Sequence, residues 1–498
     1  MLDQRFSLRD DEPQRELARK IEANDLHKNP MHSGPAKDVR LLVHLQESPS
    51  ACSSYVGFNR AECEYSSMKL LPAVALLVAA LAVVPAVVPA AAQPTSPVVV
   101  SITIDDGTAD QVAGADILAR YGMRGTFYVI SGAIDTPGYL TRAQMESLKA
   151  AGHEIGGHTV SHPDLTTIAL DEARRQICTD RVTLSDWGFP PTSFAYPYTA
   201  FNADIQRVAR ECGYNSARTL GDIRSPQDCP DCVLTEQVPP ADPFNVRTPD
   251  LINTRWTLDD LKSVVVDAPG GWIPFVLHQI CDGCSELALS PAILDQFLAW
   301  LRDRGTPVRT VQEVMGGATK PVVPAPPAAR DELVNPGLEN GPDNADGLPQ
   351  CWSTAGFGKN KVTRTRTDDA HSGRWAQRLD VISYHDGDTK ILPSQDLGTC
   401  APSATPGRAY RVSAWFKSTG FTQFALYRRL PTGGWVYWTA GPTIGPSDAW
   451  SRATWMTPAL PRGSTGMSFG LALVSVGSLT TDDYGWTRAS TAPRAKAS

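Results

Sequence analysis

The chain has 498 residues, 42% of them hydrophobic and 20% charged, with a formal net charge of -7 at pH 7. That length predicts two or three domains and a sizeable core. The mildly acidic balance shows no clustering of basic charge and argues against nucleic acid as a partner.

Residues 1–67 are polar, without clear periodicity, and unlike the rest of the chain. Met68-Lys69 opens an apolar run from Leu70 to Pro89 that ends in Ala90-Ala91-Ala92, a small-residue cleavage pattern. Pro72, Pro85 and Pro89 argue against a stable transmembrane helix. The expectation is a start at Met68, a signal peptide over 68–92, and an extension over 1–67 that is misassigned or disordered. The alternative is a cytoplasmic tail on a single-pass anchor. The expected destination is extracellular, with no stable membrane anchor once the signal is cleaved.

Residues 93–318 alternate strand and helix. Strands are expected at Val98–Ile104, Thr126–Ile130, Glu154–Gly157, Ser193–Tyr196 and Trp272–Leu277. Helices are expected at Ala109–Tyr121, Thr141–Ala151, Leu170–Trp187 and Ala203–Cys212, then from Thr257 to Asp267 and from Ser290-Pro291 onward. Thr141 with Gln144 and Thr257 with Asp260 have capping spacing, and Ser290-Pro291 reads as N-cap and first helical position. This alternation implies a parallel sheet or barrel. The polar motifs fall at the C-terminal ends of strands, where barrel active sites lie. Residues 319–331, rich in Pro and Ala, read as a semi-rigid linker. Beyond it, from 332 to 498, short strand-like segments separated by Gly, Pro and Ser predict an all-β sandwich: Tyr410–Phe416, Phe424–Arg428, Trp435–Thr439, Ala453–Met456 and Met467–Val474.

The chemistry concentrates on the first strand. Val98 to Ile104 runs into Asp105-Asp106-Gly107, and two carboxylates at the end of a buried strand need partners. His158-Thr159-Val160-Ser161-His162 supplies two imidazoles on one side of a helical turn or tight loop. Two His and one Asp, with positions left open for water, form a catalytic zinc set. The second Asp is then free to act as a base. Phe194-Ala195-Tyr196-Pro197-Tyr198 ends another strand, and Phe275-Val276-Leu277-His278 ends a further one with a histidine. Taken alone, His278 reads as a satisfied core histidine; beside a metal set it reads as catalytic.

With these motifs in this order, residues 96–318 resemble the NodB-type polysaccharide deacetylases, carbohydrate esterase family four. The matching stretches are TIDDG (103–107), HTVSH (158–162), FAYPY (194–198) and VLH (276–278). The resemblance implies a distorted (β/α) barrel with fewer than eight regular units. It implies a divalent metal, usually zinc, on Asp106, His158 and His162, with Asp105 as base and His278 as general acid. It places an oxyanion-binding backbone N–H at Tyr198. Tyr196 and Tyr198 are expected to wall the sugar pocket, with ordinary barrel packing as the alternative for both rings. Many family members carry an arginine near the start of the third motif, in contact with the base; here that position is Ala195. Arg247 is the candidate substitute, against a surface-loop arginine.

Eight cysteines remain once 1–67 is set aside. Cys351 and Cys400 are the only pair in the C-terminal domain and are expected to bridge. Cys178 and Cys212, on neighbouring predicted helices, suit a second bridge. Cys229-Pro230-Asp231-Cys232 and Cys281-Asp282-Gly283-Cys284 are CxxC motifs, read as disulfides against a structural zinc site. The C-terminal domain resembles the jelly-roll carbohydrate-binding modules of secreted glycan enzymes. Trp435, Tyr437 and Trp438 are candidates for stacking on sugar rings, with sandwich core as the alternative. Glu339 and Asp483 are candidates for a structural calcium.

The expected function is a secreted, metal-dependent deacetylase acting on an N-acetylated glycan such as chitin, chitooligosaccharide or peptidoglycan. The C-terminal domain is expected to deliver the enzyme to polymer and to take no part in the chemistry. The rivals are an O-acetyl esterase on xylan or a similar polysaccharide, and a glycan-binding protein with an inactive barrel.

Overall fold

The computed structural model describes residues 97–327, 332–341 and 347–489. The expected extension over 1–67, the signal peptide over 68–92 and the last residues of the 319–331 linker lie outside the described residues. Among the described residues no helix is long and apolar enough to cross a membrane.

Seven parallel strands form the first sheet: β1 (Val99–Ile104), β2 (Thr126–Val129), β3 (Glu154–Gly157), β4 (Ser193–Ala195), β5 (Ser216–Asp222), β6 (Val246–Thr248) and β7 (Trp272–Leu277). Their spatial order is β6-β5-β4-β3-β2-β1-β7. Just past β6, Ile252 N–H donates to Val276 O of β7 at 3.1 Å, so the sheet nearly closes on itself. The helices are α1 (Gln111–Arg120), α2 (Arg142–Ala150), α3 (Leu170–Asp186), α4 (Ala203–Glu211), α5 (Leu258–Val266), α6 (Pro291–Arg304) and α7 (Val311–Met315). This is the expected distorted (β/α) barrel with fewer than eight units. β1 and β7 are fully or nearly fully buried, as strands covered on both faces must be. They pair in register, Ile104 opposite Leu277, which brings Asp105 and His278 to neighbouring strand ends. The expected capping boxes are present at Thr141–Gln144 and Thr257–Asp260, whereas Ser290 makes no side-chain cap.

β5 and β6 carry no strand pattern in the sequence. β5 is Ser-Ala-Arg-Thr-Leu-Gly-Asp, and β6 is three residues long. A short parallel pair, β8 (Gln279–Ile280) with β9 (Ala288–Leu289), follows the barrel strands.

The C-terminal region is two five-stranded antiparallel sheets. One contains β10 (Trp352–Phe357), β13 (Asp388–Pro393), β15 (Thr422–Arg429), β16 (Trp435–Ala440) and β18 (Gly466–Leu473). The other contains β11 (Asn360–Thr367), β12 (Ala376–Tyr384), β14 (Tyr410–Ser418), β17 (Ser447–Met456) and β19 (Gly477–Arg488). Their inner faces share one core that includes Trp352, Val412, Phe424, Phe469 and Leu479.

The linker does not hold this sandwich at a distance from the barrel. Arg181, fully buried on α3, donates to the carbonyls of Lys320 (2.6 Å) and Pro321 (2.9 Å), and Lys320 Nζ donates to Tyr214 O at 2.9 Å. Barrel and sandwich fall within one compact unit. The linker, expected to act as a semi-rigid spacer, is thus pinned to the barrel wall.

Candidate metal centre

β1 ends in Asp105, buried, and Asp106, whose backbone is left-handed at φ +78°. Gly107 follows at φ +75°, where an added Cβ would stand 3.1 Å from Val129 Cγ1, so two successive positive-φ residues turn the chain sharply out of the sheet. Strained non-glycine backbone of this kind persists only where the surroundings fix it. β3 ends at Gly157 and delivers His158. The next residues form a tight loop, with Thr159 at φ +69° and His162 at φ +56°, so the two histidines are brought together by a loop and not by a helix. The loop holds itself through His162 N–H to Thr159 Oγ1, 2.9 Å.

The ligand atoms of Asp106, His158 and His162 lie within 4.8 Å of one another, and this is the one such group among the described residues. Both Nε2 atoms are 3.5 Å from Asp106 Oδ1 and 3.1 Å from each other. His158 Nδ1 lies 2.8 Å from Ala195 O; a carbonyl only accepts, so Nδ1 carries the proton and Nε2 presents its lone pair inward. Asp106 Oδ1 is buried with no hydrogen-bond partner. Burial opposes ionisation of Asp106, but the histidines around it, His158, His278 and His162, outweigh it and hold the carboxyl well below its ordinary range. Burial, with His158 beside it, pushes the His162 imidazole down to about 4, so the ring is neutral at pH 7. An orphaned anionic oxygen facing inward-pointing imidazole nitrogens is a donor set that fits a divalent cation.

Asp105 is held by an arginine, but not by Arg247. Arg218 Nη2, on β5, is 2.5 Å from Asp105 Oδ1 and equally close to Oδ2, with both side chains buried. The Arg218 guanidinium also lies over the Tyr128 ring, 5.0 Å from its centroid. Arg247 is engaged elsewhere: its Nε and Nη2 donate to the buried Glu236 carboxylate at 3.0 and 2.7 Å. The candidate substitute arginine is thus corrected from Arg247 to Arg218. Gln111, buried on α1, was also unmarked by any motif; its Nε2 donates to Asp105 O and, at 3.2 Å, to His278 O, tying the β1 and β7 ends together.

His278 follows β7, and its Nδ1 is buried without a hydrogen-bond partner. Tyr198, 65% exposed and at φ +54°, stands on the rim with its ring edge-on to His162, centroids 4.5 Å apart. Tyr196 is corrected from pocket wall to core: it is 3% exposed, stacks on Phe201 and donates its hydroxyl to Phe244 O at 3.1 Å.

The cysteine pairs are Cys178–Cys212, Cys229–Cys232, Cys281–Cys284 and Cys351–Cys400. Each CxxC motif closes on itself, so neither contributes thiolates to a shared zinc. In the sandwich, Glu339 accepts the N–H groups of Arg374 and Trp375 at 3.0–3.1 Å, and Asp483 accepts from His371 Nδ1 at 2.6 Å. Trp435 Nε1 donates to Asp396 O at 3.1 Å, Trp438 packs on the sandwich core, and Tyr437 is exposed beside Tyr427.

Residues 92–217 match the family described as polysaccharide deacetylase. The match spans Asp105, Asp106, His158 and His162 and ends one residue before Arg218. The matched stretch runs through the barrel as far as the start of β5 and is similar to the polysaccharide deacetylases, and the β-sandwich lies outside it. The peptidoglycan-N-acetylglucosamine deacetylase PgdA of Listeria monocytogenes is 34% identical over 118 residues, 23% of this chain and 24% of that protein. The chitin deacetylase of Colletotrichum lindemuthianum is 31% identical over 140 residues, 26% of this chain and 54% of that protein. A family 4 acetyl xylan esterase structure from Clostridium thermocellum has 20% identity and a TM-score of 0.32, covering 43% of this chain and 89% of that one. The chain spans about a quarter to about half of the length of these curated relatives.

Proposed function

We propose that this protein is a secreted, metal-dependent deacetylase that hydrolyses N-acetyl groups of a glycan such as chitin, chitooligosaccharide or peptidoglycan. The observation that carries the reading is the convergence of Asp106 Oδ1 with two imidazole Nε2 atoms, beside a second carboxylate fixed by a buried arginine. Asp106, His158 and His162 would hold the metal, with zinc favoured by the nitrogen-rich set. When bound, such an ion polarises the amide carbonyl and lowers the pKa of water.

The remaining steps belong to this chain's own groups. Asp105 accepts the proton of the attacking water, and Arg218 fixes the orientation of that carboxylate. The amide carbonyl oxygen gains negative charge as water adds, and the Tyr198 backbone N–H is the proposed donor to it. An amine leaves poorly as an anion, so His278 gives a proton to the departing nitrogen. The water oxygen ends in acetate and the sugar keeps a free amine. Exposed Tyr198 on the rim suits a sugar ring laid against the site. The four disulfides suit an oxidising compartment and so support secretion.

Acetate release from chitin oligomers, peptidoglycan and acetylated xylan, each with and without chelator, tests the reading. Chelator-sensitive release from an N-acetylated glycan supports it. Release from xylan alone makes the protein an O-acetyl esterase, and no release from any of them leaves a glycan-binding protein.

A further inference from the structure

The 158–162 loop touches the sandwich. Val160, between the two histidines, is fully buried, and its carbonyl accepts Gly132 N–H at 2.9 Å, joining the loops after β2 and β3. The tip of the β15–β16 hairpin meets this junction. A Cβ on Gly433 would stand 2.5 Å from Val160 Cγ1, and a Cβ on Gly434 would stand 2.2 Å from Gly132 O. Only glycines let the hairpin backbone come this close.

A second path runs from the sandwich to the same loop through hydrogen bonds. Leu397 N–H donates to Glu172 Oε1 at 2.7 Å. Gln176 Nε2 donates to that same oxygen at 3.3 Å and to Ser161 Oγ at 3.0 Å, while Gln176 Oε1 accepts Ser161 N–H at 3.1 Å. Arg175 completes the set, with Nη1 on Glu172 at 3.1 Å and on Thr399 Oγ1 at 2.8 Å. Glu172, Arg175 and Gln176 are at most 4% exposed, so the middle of the path lies out of water, while Ser161 at its end is exposed. On the sandwich side, Asp396 accepts the N–H groups of Gly398, Cys400 and Ala401 at 2.6–3.1 Å, and the Cys351–Cys400 bridge tethers the loop.

We propose that the C-terminal sandwich is a positioning element of the metal centre: the Gly433–Gly434 hairpin tip and the 396–401 loop fix the 158–162 loop so that His158 and His162 face Asp106. The proposal rests on the assignment of these three residues as metal ligands. The physical reason is preorganisation. Thr159 and His162 hold positive φ with Val160 and Ser161 between them, and a loop in that state keeps its geometry only if its flanks are fixed. The groups behind metal ligands typically contribute about 10–100-fold to metal affinity.

The test uses the full chain with two variants on the sandwich. Gly434→Leu drives a side chain into Gly132, and Leu397→Glu buries a carboxylate against the Gly433 hairpin tip. Zinc affinity is measured by competition with a fluorescent chelator, and docking by small-angle scattering. The expected result is that both variants lose docking, hold zinc about 10–100-fold more weakly, and lose kcat on soluble acetylated oligomer more than they gain KM. Undocked variants with wild-type zinc affinity overturn the proposal, as do variants that remain docked with weakened zinc. The zinc readout needs no substrate. A chain that binds zinc but deacetylates nothing would refute the proposed activity alone, whereas a wild-type chain that binds no zinc overturns both.

Discussion

Arg218 Nη2 bridges the two carboxylate oxygens of Asp105 at 2.5 Å, across 113 residues of sequence. The pair is buried, so each charge depends on the other. The guanidinium fixes which way the carboxylate points, and a misplacement of about 1 Å at a reacting group costs roughly a hundredfold in rate. Arg218→Lys keeps the charge and loses the planar fork. It is expected to lower kcat about a hundredfold with one zinc per chain retained, measured by metal analysis and initial rates. Unchanged kcat would remove Arg218 from the site.

Arg247 should behave in the opposite way. Glu236 is 1% exposed and receives both the Arg247 side chain and its N–H. Removing the cation leaves a buried carboxylate short of donors, at a cost of about 1–3 kcal/mol. Arg247→Ala is therefore expected to lower the melting temperature while the folded enzyme keeps its kcat. A large fall in kcat at temperatures where the variant is fully folded contradicts this assignment.

The interface carries a pH signature. Burial, and then the charge of Glu172, raises the Asp396 carboxyl from its ordinary 3.8 to about 6. Arg429 also meets this residue, its Nη1 donating to Asp396 O at 3.1 Å. The folded value lies above the unfolded one, so between about 4 and about 6 the folded state binds more protons and stability falls as pH rises. Asp396→Asn removes that dependence and leaves a cost that is constant with pH. Relative to wild type, its melting temperature should rise between pH 4 and pH 6 and level off above. A constant difference across the range contradicts the shift.

The legible part of the site was local. A β-branched run ending in Asp105-Asp106-Gly107 and a two-histidine loop each mark themselves, because strand end and ligand lie within a few residues. Arg218 does not, for two reasons. β5 is half polar, so no alternation announces a strand, and its partner lies on the other side of the sheet. Arg247, in a more conspicuous stretch, drew the assignment that belonged to Arg218. Tyr196 failed for a related reason: the aromatic motif shows that rings flank Pro197, not which of them faces outward. The sandwich was legible as all-β from five segments, although β10 to β13 and β19 were not. In β11, Asn-Lys-Val-Thr-Arg-Thr-Arg-Thr, both faces are polar or charged. Docking was illegible because it depends on Gly433, Gly434 and Gly132, residues whose contribution is the absence of a side chain.

The proposed chemistry divides the adjacent aspartates between metal binding and proton transfer. Asp106 Oδ1 faces the imidazoles, whereas Asp105 faces Arg218. The most direct measurement is zinc content together with acetate release from a chitin oligomer, for Asp106→Ala and Asp105→Asn side by side. Asp106→Ala should lose both zinc and activity. Asp105→Asn should keep most of its zinc and release no acetate above background. An Asp105→Asn protein stripped of zinc, with Asp106→Ala still loaded and inactive, would reverse the two roles.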